Sequence, residues 1–106
     1  MIGGMRHRVM IQSERRTTDT DGSAALRWYD DVSVFAAIEP ASGRERFFGM
    51  QLEASITHKI TIRYRADMAP KKRLLYNGRA FQVRAVLNRD ERQRFQELLC
   101  EEGVAT

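Results

Sequence analysis

The side chains that could do acid–base, nucleophilic or metal chemistry are few and widely separated. The sequence contains two histidines, His7 and His58, and one cysteine, Cys100. His58 falls on the apolar positions of a strand pattern, where a hydrogen-bonded core histidine is commoner than a catalytic base. One thiol and two distant histidines form neither a disulfide nor a metal framework. We expect Cys100 to be a small buried hydrophobe.

Two acidic clusters do not satisfy the requirements of a site. Asp19 and Asp21 lie in the turn-rich stretch 17–23, but the further ligands and distal glutamate of a calcium loop do not follow. Asp90 and Glu91 stand among arginines, as solvated turn residues do. A glycine-rich phosphate loop and a nucleophile elbow are also missing from the sequence. We expect no catalytic residue, no cofactor and no metal, and a protein that is not an enzyme.

The composition indicates one globular domain. The chain has 106 residues, 42% hydrophobic and 30% charged, with a formal net charge of +4. No apolar run has the roughly 20 residues of a membrane helix, and no secretory signal is apparent, so we expect a cytoplasmic location. The arginines are spread along the chain, which favours a solvated face over a dedicated nucleic-acid patch. We expect residues 1–106 to be one domain with a flexible arm at residues 1–5.

The elements that must position these side chains are strands. Residues 56–65 alternate in character, with Ile60, Ile62 and Tyr64 on one face and lysine, threonine and arginine on the other. Residues 73–83 contain Asn77-Gly78 between two apolar runs, which predicts a type I′ hairpin. A two-residue loop places Leu74 opposite Phe81.

Two earlier strands are also predicted, at residues 5–12 and 26–39. The second has its apolar residues on one parity, with Trp28 expected to be a core anchor. Asp30 and Asp31 at its centre predict a bulge. Residues 95–100 are too short for periodicity to separate helix from strand, and closure of a sheet edge favours a strand. The expected fold is mainly β, a small antiparallel barrel of about six strands.

Residues 42–55 differ from the rest of the chain. Ser42 and Glu45 have the spacing of a capping box, so we expect a short helix from about Gly43 to Ala54. Gly49 weakens that helix by about 1 kcal/mol relative to alanine. Its apolar residues do not form one stripe, so we expect the segment to pack only partly in the monomer and to order between subunits.

In their order and spacing these residues resemble the head–tail joining (head-closure, or stopper) proteins of long-tailed phages, prophages and gene transfer agents. The resemblance runs from about Arg6 to Glu101. It is carried by His7-Arg8-Val9-x-Ile11-Gln12, Asp19-x-Asp21-Gly22, Trp28, Val34-Phe35-Ala36-Ala37-Ile38-Glu39-Pro40, Ser42-Gly43-Arg44-Glu45, Thr57-His58-Lys59-Ile60-Thr61-Ile62-Arg63-Tyr64, Arg73, Tyr76-Asn77-Gly78-Arg79-x-Phe81 and Asn88-x-Asp90-Glu91-Arg92.

The resemblance implies a small β-barrel with a helix or long loop inserted between its second and third strands, here residues 42–55. It implies a ring, dodecameric in the particle, that lies below the portal and adaptor and retains packaged double-stranded DNA. The ring also offers a surface to the tail terminator or tail tube, and the protein passes from the bacterial host cytoplasm into the virion. The implied interface or channel-facing residues are Arg44, Glu45, Arg46, Phe47, Phe48, Met50, Gln51 and Leu52, of which Arg44 and Arg46 face DNA. No membrane partner is implied.

An alternative is an OB-like barrel that binds single-stranded nucleic acid. Such a barrel needs exposed aromatic side chains interleaved with basic residues on one sheet face. Tyr29 and Phe35 share the polar parity of their strand, whereas Tyr64 and Phe81 are expected to be buried. The aromatic residues therefore favour the structural ring protein.

Overall fold

The computed structural model of the protein describes residues 5–18, 21–52, 54–88 and 94–104. Its elements are β1 (His7–Thr18), β2 (Ala24–Pro40), α1 (Gly43–Gln51), β3 (His58–Arg63), β4 (Arg73–Tyr76), β5 (Arg79–Asn88) and β6 (Phe95–Val104). The predicted arm, apart from Met5, lies outside the described residues, as do Asp19 of the predicted turn and the pair Asp90 and Glu91. No helix in the described ranges is long and apolar enough to cross a membrane.

The six strands form one closed antiparallel barrel in the order β1-β2-β3-β6-β5-β4. The barrel closes where Met10, Ile11 and Gln12 of β1 pair with β4. Closure pairs the strand edges that an open sheet would leave exposed. The single short helix lies between β2 and β3, so the predicted fold class is confirmed.

All six strands contribute to one buried apolar cluster. Its members are Val9, Ile11, Ala36, Ile60, Ile62, Leu74, Phe81, Val83, Leu98 and Cys100. The alternation predicted for residues 56–65 is confirmed, because Ile60 and Ile62 are buried while Arg63 is exposed. Tyr64 was expected to be buried and is instead half-buried. Cys100 is fully buried as predicted, and burial raises the pKa of its thiol well above the ordinary value.

The hairpin between β4 and β5 has the predicted register. Leu74 pairs with Phe81 and Tyr76 with Arg79. Asn77 and Gly78 have φ values of 50° and 76°, the positive values that a type I′ turn requires. The C-terminal segment also forms the strand that edge closure favoured, pairing with both β3 and β5.

A bulge in β2 changes which side chains in the first half of the strand point to the outer face of the sheet. Ile11 pairs with Val32 but the next residue, Gln12, pairs with Asp30, so Asp31 is the extra residue. The bulge was predicted; its consequence for Trp28 was not. Because successive strand residues alternate in direction, skipping one turns Trp28 to the outer face, opposite Glu14.

The prediction that Trp28 is a core anchor is therefore wrong. Its ring is half-buried and lies under the guanidinium of Arg73, whose Cζ is 4.4 Å from the ring centroid. Leu26, on the same parity, is exposed. Residues 13–18 and 24–30 pair only with each other among the described residues, and we call them the β1–β2 ribbon.

Candidate functional site

Helix α1 begins with the predicted capping box. The Ser42 amide donates to Glu45 Oε1 over 2.8 Å, and the Glu45 amide donates to Ser42 Oγ over 3.2 Å. Two amides that the first helical turn leaves unpaired are satisfied in this way. The helix ends at Gln51, three residues before the predicted end, where the Leu52 amide donates to Gly49 O over 2.9 Å.

The helix contacts the barrel through its glycine. Gly49 is the buried residue of α1, and a Cβ on it would overlap Ile56 Cγ1 and lie 3.1 Å from the Ala54 carbonyl oxygen. Ile56 belongs to a second, smaller apolar cluster with Ala41, Ala85 and Leu99. The absence of a side chain at Gly49 thus allows the helix backbone to approach the barrel.

The large apolar side chains of the segment point away from that contact. The exposed fractions are 62% for Phe47, 36% for Phe48, 71% for Met50 and 47% for Leu52. We call these four residues the α1 apolar patch. A helix fixed to the barrel by a glycine while its large apolar side chains are in water has the character of an interaction site.

Charged residues hold the start of α1 against the barrel. Lys59 Nζ lies 3.6 Å from Glu45 Oε2 and 3.7 Å from Glu97 Oε2, so one ammonium joins the helix to β6. Burial alone would raise the pKa of Glu45. The hydrogen bond from the Ser42 amide and the charge of Lys59 outweigh this effect and hold the pKa below its ordinary value.

The predicted site residues separate into two groups. Most are exposed: Arg44, Arg46, Phe47, Phe48, Met50, Gln51 and Leu52. Glu45 is half-buried and serves the cap and Lys59, which makes it a structural residue of the helix start. Arg46 Nε donates to the Ala41 carbonyl over 3.3 Å. The interface role of this set stays a prediction.

Sequence reasoning missed two residues that position the patch, Gly49 and Lys59. Gly49 was interpreted only as a helix-weakening residue, and Lys59 only as a solvated strand residue. For Gly49 there was no helical spacing signal, because the helix ends at Gln51, between Gly49 and Ile56. For Lys59 there was no local signal, because Glu97 is far from it in the chain.

Each of the two histidines packs edge-on against an aromatic ring of the barrel. His58 packs edge-on against Phe81, with ring centroids 5.2 Å apart, and its Nδ1 lies 2.9 Å from Thr57 Oγ1. Burial holds the pKa of His58 below its ordinary value, against the opposing charge of Glu102. His7 Nδ1 lies 2.8 Å from the Tyr76 hydroxyl. No group of histidine, cysteine and acidic residues with metal-binding geometry occurs within the described ranges.

The family model for phage head completion proteins matches residues 1–103. The chain belongs to this family. Family membership makes it a structural protein related to the phage head. No curated protein matches it.

Two solved structures resemble this chain over nearly its whole length. The solution structure of protein SF1141 from Shigella flexneri 2a is 29% identical, with a TM-score of 0.79, covering 99% of this chain and 98% of that one. A chain in the virion of a native gene transfer agent particle is 25% identical, with a TM-score of 0.65, covering 94% and 96%. These matches agree with the observed barrel.

Proposed function

We propose that this protein is the stopper of the head–tail connector. In this role it forms a ring below the portal and its adaptor, retains packaged DNA and offers the surface to which the tail attaches. Family membership and the likeness to a chain of a gene transfer agent virion support a particle role. The position within the connector and the ring, dodecameric in the particle, are part of the proposal.

The observation that carries the proposal is the α1 apolar patch. Three of its large apolar side chains lie on a helix that is already capped and seated on the barrel, and the fourth, Leu52, is the C-cap of that helix. Each buried apolar Å² contributes about 25 cal/mol, so covering such side chains with a neighbouring subunit favours assembly. Because the backbone beneath the patch is held by Gly49 and Lys59, little ordering entropy opposes that step.

The charged residues of α1 suit the channel side of such a ring. Arg44 and Arg46 are exposed and have no acidic partner among the described residues. Their guanidinium groups would meet the phosphates of packaged double-stranded DNA without reading its sequence. In the proposed arrangement the chain is one barrel domain, and residues 42–55 are a segment inserted between β2 and β3. This segment contacts neighbouring subunits as well as DNA.

In this role the protein is present in the host cytoplasm during assembly and then becomes part of the particle, with the portal or adaptor ring above it and the tail terminator or tail tube below. A rigid barrel suits this role, because its strands are hydrogen-bonded around the whole circumference. In this role the protein supplies a rigid shape and binding surfaces, and it catalyses no reaction.

A second candidate function, single-strand binding, is favoured by two arginine–aromatic pairs, although the bulge in β2 places them on opposite faces of the β1–β2 pair. Arg8 Cζ lies 5.5 Å from the Phe35 ring centroid, and Arg15 Cζ lies 5.3 Å from that of Tyr29. Bases stack on exposed aromatic rings, and of these two rings Phe35 is exposed while Tyr29 is half-buried. Phe81, however, is fully buried and Tyr64 half-buried, which leaves few rings for a continuous stacking platform.

Imaging of assembled particles tests the proposed function. The gene is co-expressed with those of the neighbouring portal and adaptor proteins, and the products are purified and imaged by electron microscopy. A ring of this protein on the adaptor, with DNA retained in filled heads, is expected. Particles that retain DNA and attach tails when this protein is absent would contradict the stopper role.

A further inference from the structure

The barrel wall opens beside β2, next to the point where β2 and β3 separate. The last β2–β3 pair on this side is Ala36 with Ile62. Beyond it β3 ends at Arg63, while β2 runs back towards the bulge at Asp31. Among the described residues, the edge of β2 from Val32 to Phe35 has no strand partner other than β1.

Residues 64–65, on the side of the opening opposite β2, are hydrogen-bonded to residues 94 and 96. The Tyr64 amide donates to the Arg94 carbonyl over 2.9 Å. The Arg65 amide donates to Gln96 Oε1 over 3.1 Å, and Gln96 Nε2 donates to the Arg65 carbonyl over 2.9 Å. These bonds draw residues 64–65 towards β6 and away from β2, so the gap is a feature of the fold.

The gap is a cleft of about 290 Å³ with an apolar lining. It is lined by Met5, Val34, Phe35, Arg63, Tyr64 and Arg65. Its volume accepts one or two apolar side chains, and the β2 edge beside it offers backbone groups for pairing. The cleft is separate from helix α1.

Two guanidinium groups beside the cleft have no acidic partner among the described residues. Arg63 is exposed, with its Cζ 6.0 Å from the Phe95 ring centroid. Arg8 lies over Phe35 and donates to Ser33 Oγ over 3.2 Å. Arg65, in contrast, is paired with Asp67 over 3.1 Å. The unpaired charge at the cleft is therefore positive.

We propose that this cleft docks an extended segment of another particle protein, one that alternates apolar and acidic residues. The segment pairs with the β2 edge at Val32–Phe35, places an apolar side chain in the cleft, and sets its carboxylates at Arg8 and Arg63. A duplex phosphate backbone matches the charge but not the concave apolar lining, so a peptide fits better than DNA. The inference rests on membership of a virion family and not on the position of the ring.

Binding of a designed probe tests the docking site. The probe is a short capped peptide that alternates leucine or valine with aspartate or glutamate and carries fluorescein. Fluorescence anisotropy measures its affinity for the whole protein, and amide shifts of labelled protein locate it. We expect shifts centred on Val32–Phe35 and Tyr64.

Replacement of Arg63 by serine should weaken binding about threefold, as for an exposed charge pair, and R8S/R63S should weaken it further. The matched control is Arg16→Ser, which replaces an exposed arginine of the β1–β2 ribbon and should leave binding unchanged.

Two altered peptides separate the contributions of charge and backbone. A version with lysine in place of the acids tests charge, and a version N-methylated along its backbone tests strand pairing. Both are expected to bind much more weakly than the probe. Equal binding by either one overturns the proposal, as do shifts confined to other parts of the barrel.

Two other occupants have distinct signatures. If oligothymidylate displaces the probe and shows the same dependence on Arg63, the cleft is a nucleic-acid site and the proposal fails. If the same amides shift with protein concentration alone, the occupant is a second copy, and the proposal again fails. Neither result changes the outcome of the particle imaging, which tests the stopper role separately.

Discussion

Gly49 of helix α1 lies so close to Ile56 that a side chain on the glycine would overlap Ile56 Cγ1. This contact joins the inserted helix to the barrel and determines the direction in which Phe47, Phe48 and Met50 point. A residue that lowers helix propensity is thus the one that lets this helix pack.

Alanine at position 49 should destabilise the protein despite alanine's better helix propensity. The propensity gain is about 1 kcal/mol, whereas overpacking a close contact costs about 1–3 kcal/mol. Urea unfolding of Gly49→Ala and Ile56→Ala, singly and together, measures the coupling. Gly49→Ala should cost less when Ile56 is already alanine. Equal costs in both backgrounds would show that the two residues do not interact.

Removing the phenyl rings of the α1 apolar patch should affect assembly and spare the subunit. Phe47→Ala with Phe48→Ala should change the melting temperature little, because both rings are exposed. The same pair should impair particle assembly, DNA retention or tail attachment. Leu87→Ala, which removes another exposed apolar side chain on β5, is the control and should leave assembly intact. A loss of several kcal/mol in the monomer would mean that the rings belong to the core.

The Glu45–Lys59 contact predicts a pH-dependent difference between the protein and Glu45→Gln. Glutamine keeps the capping geometry and removes the charge. The folded-state pKa of Glu45 is depressed, so its stabilisation is present above the ordinary value of 4.5 and is lost as pH falls through the lower folded value.

Thermal unfolding in a series of buffers from pH 7 downward measures this difference. At pH 7 the substitution should cost about 0.5 kcal/mol, as expected of a partly exposed ion pair. The cost should shrink as the pH falls below 4.5 and through the lower folded-state pKa of Glu45. A cost that does not change with pH would assign the effect to the cap instead of the charge.

Valine at position 78 should unfold the hairpin locally and destabilise the barrel. Gly78 has φ of 76°, which a β-branched residue resists, so we expect a loss of about 2 kcal/mol or more. Gly103→Val is a matched control, because Gly103 lies in β6 without a positive φ and with open space around it. Denaturant midpoints of the two variants should differ clearly, and similar midpoints would contradict the turn assignment.

DNA binding by the free protein should be weak and should fade at physiological salt. Replacing Arg44 and Arg46 with glutamine should lower the slope of log K against log salt by about 2, the loss of two phosphate contacts. The matched control replaces Arg16 and Arg27 of the ribbon. Titration of labelled duplex DNA in a salt series measures both, and tight binding at physiological salt would favour the nucleic-acid function.

Local patterns were sufficient for most of the fold. The alternation around Ile60 and Ile62, the Asn77-Gly78 turn and the Ser42–Glu45 capping box each depend on residues only a few positions apart. Such patterns act before any tertiary contact forms, so the sequence alone predicts strand, hairpin and helix start. The order of these pieces also indicated the family.

Tertiary structure decided what each surface presents. Trp28 points outward because the bulge at Asp31 shifts the pairing of β2 with β1, and that pairing forms only in the tertiary structure. Gly49 matters through Ile56, and Lys59 joins Glu45 to Glu97 across two elements. The cleft beside Val34 exists because Gln96 holds Arg65 from the other side. These features depend on register and closure, which bring together residues that no local pattern relates.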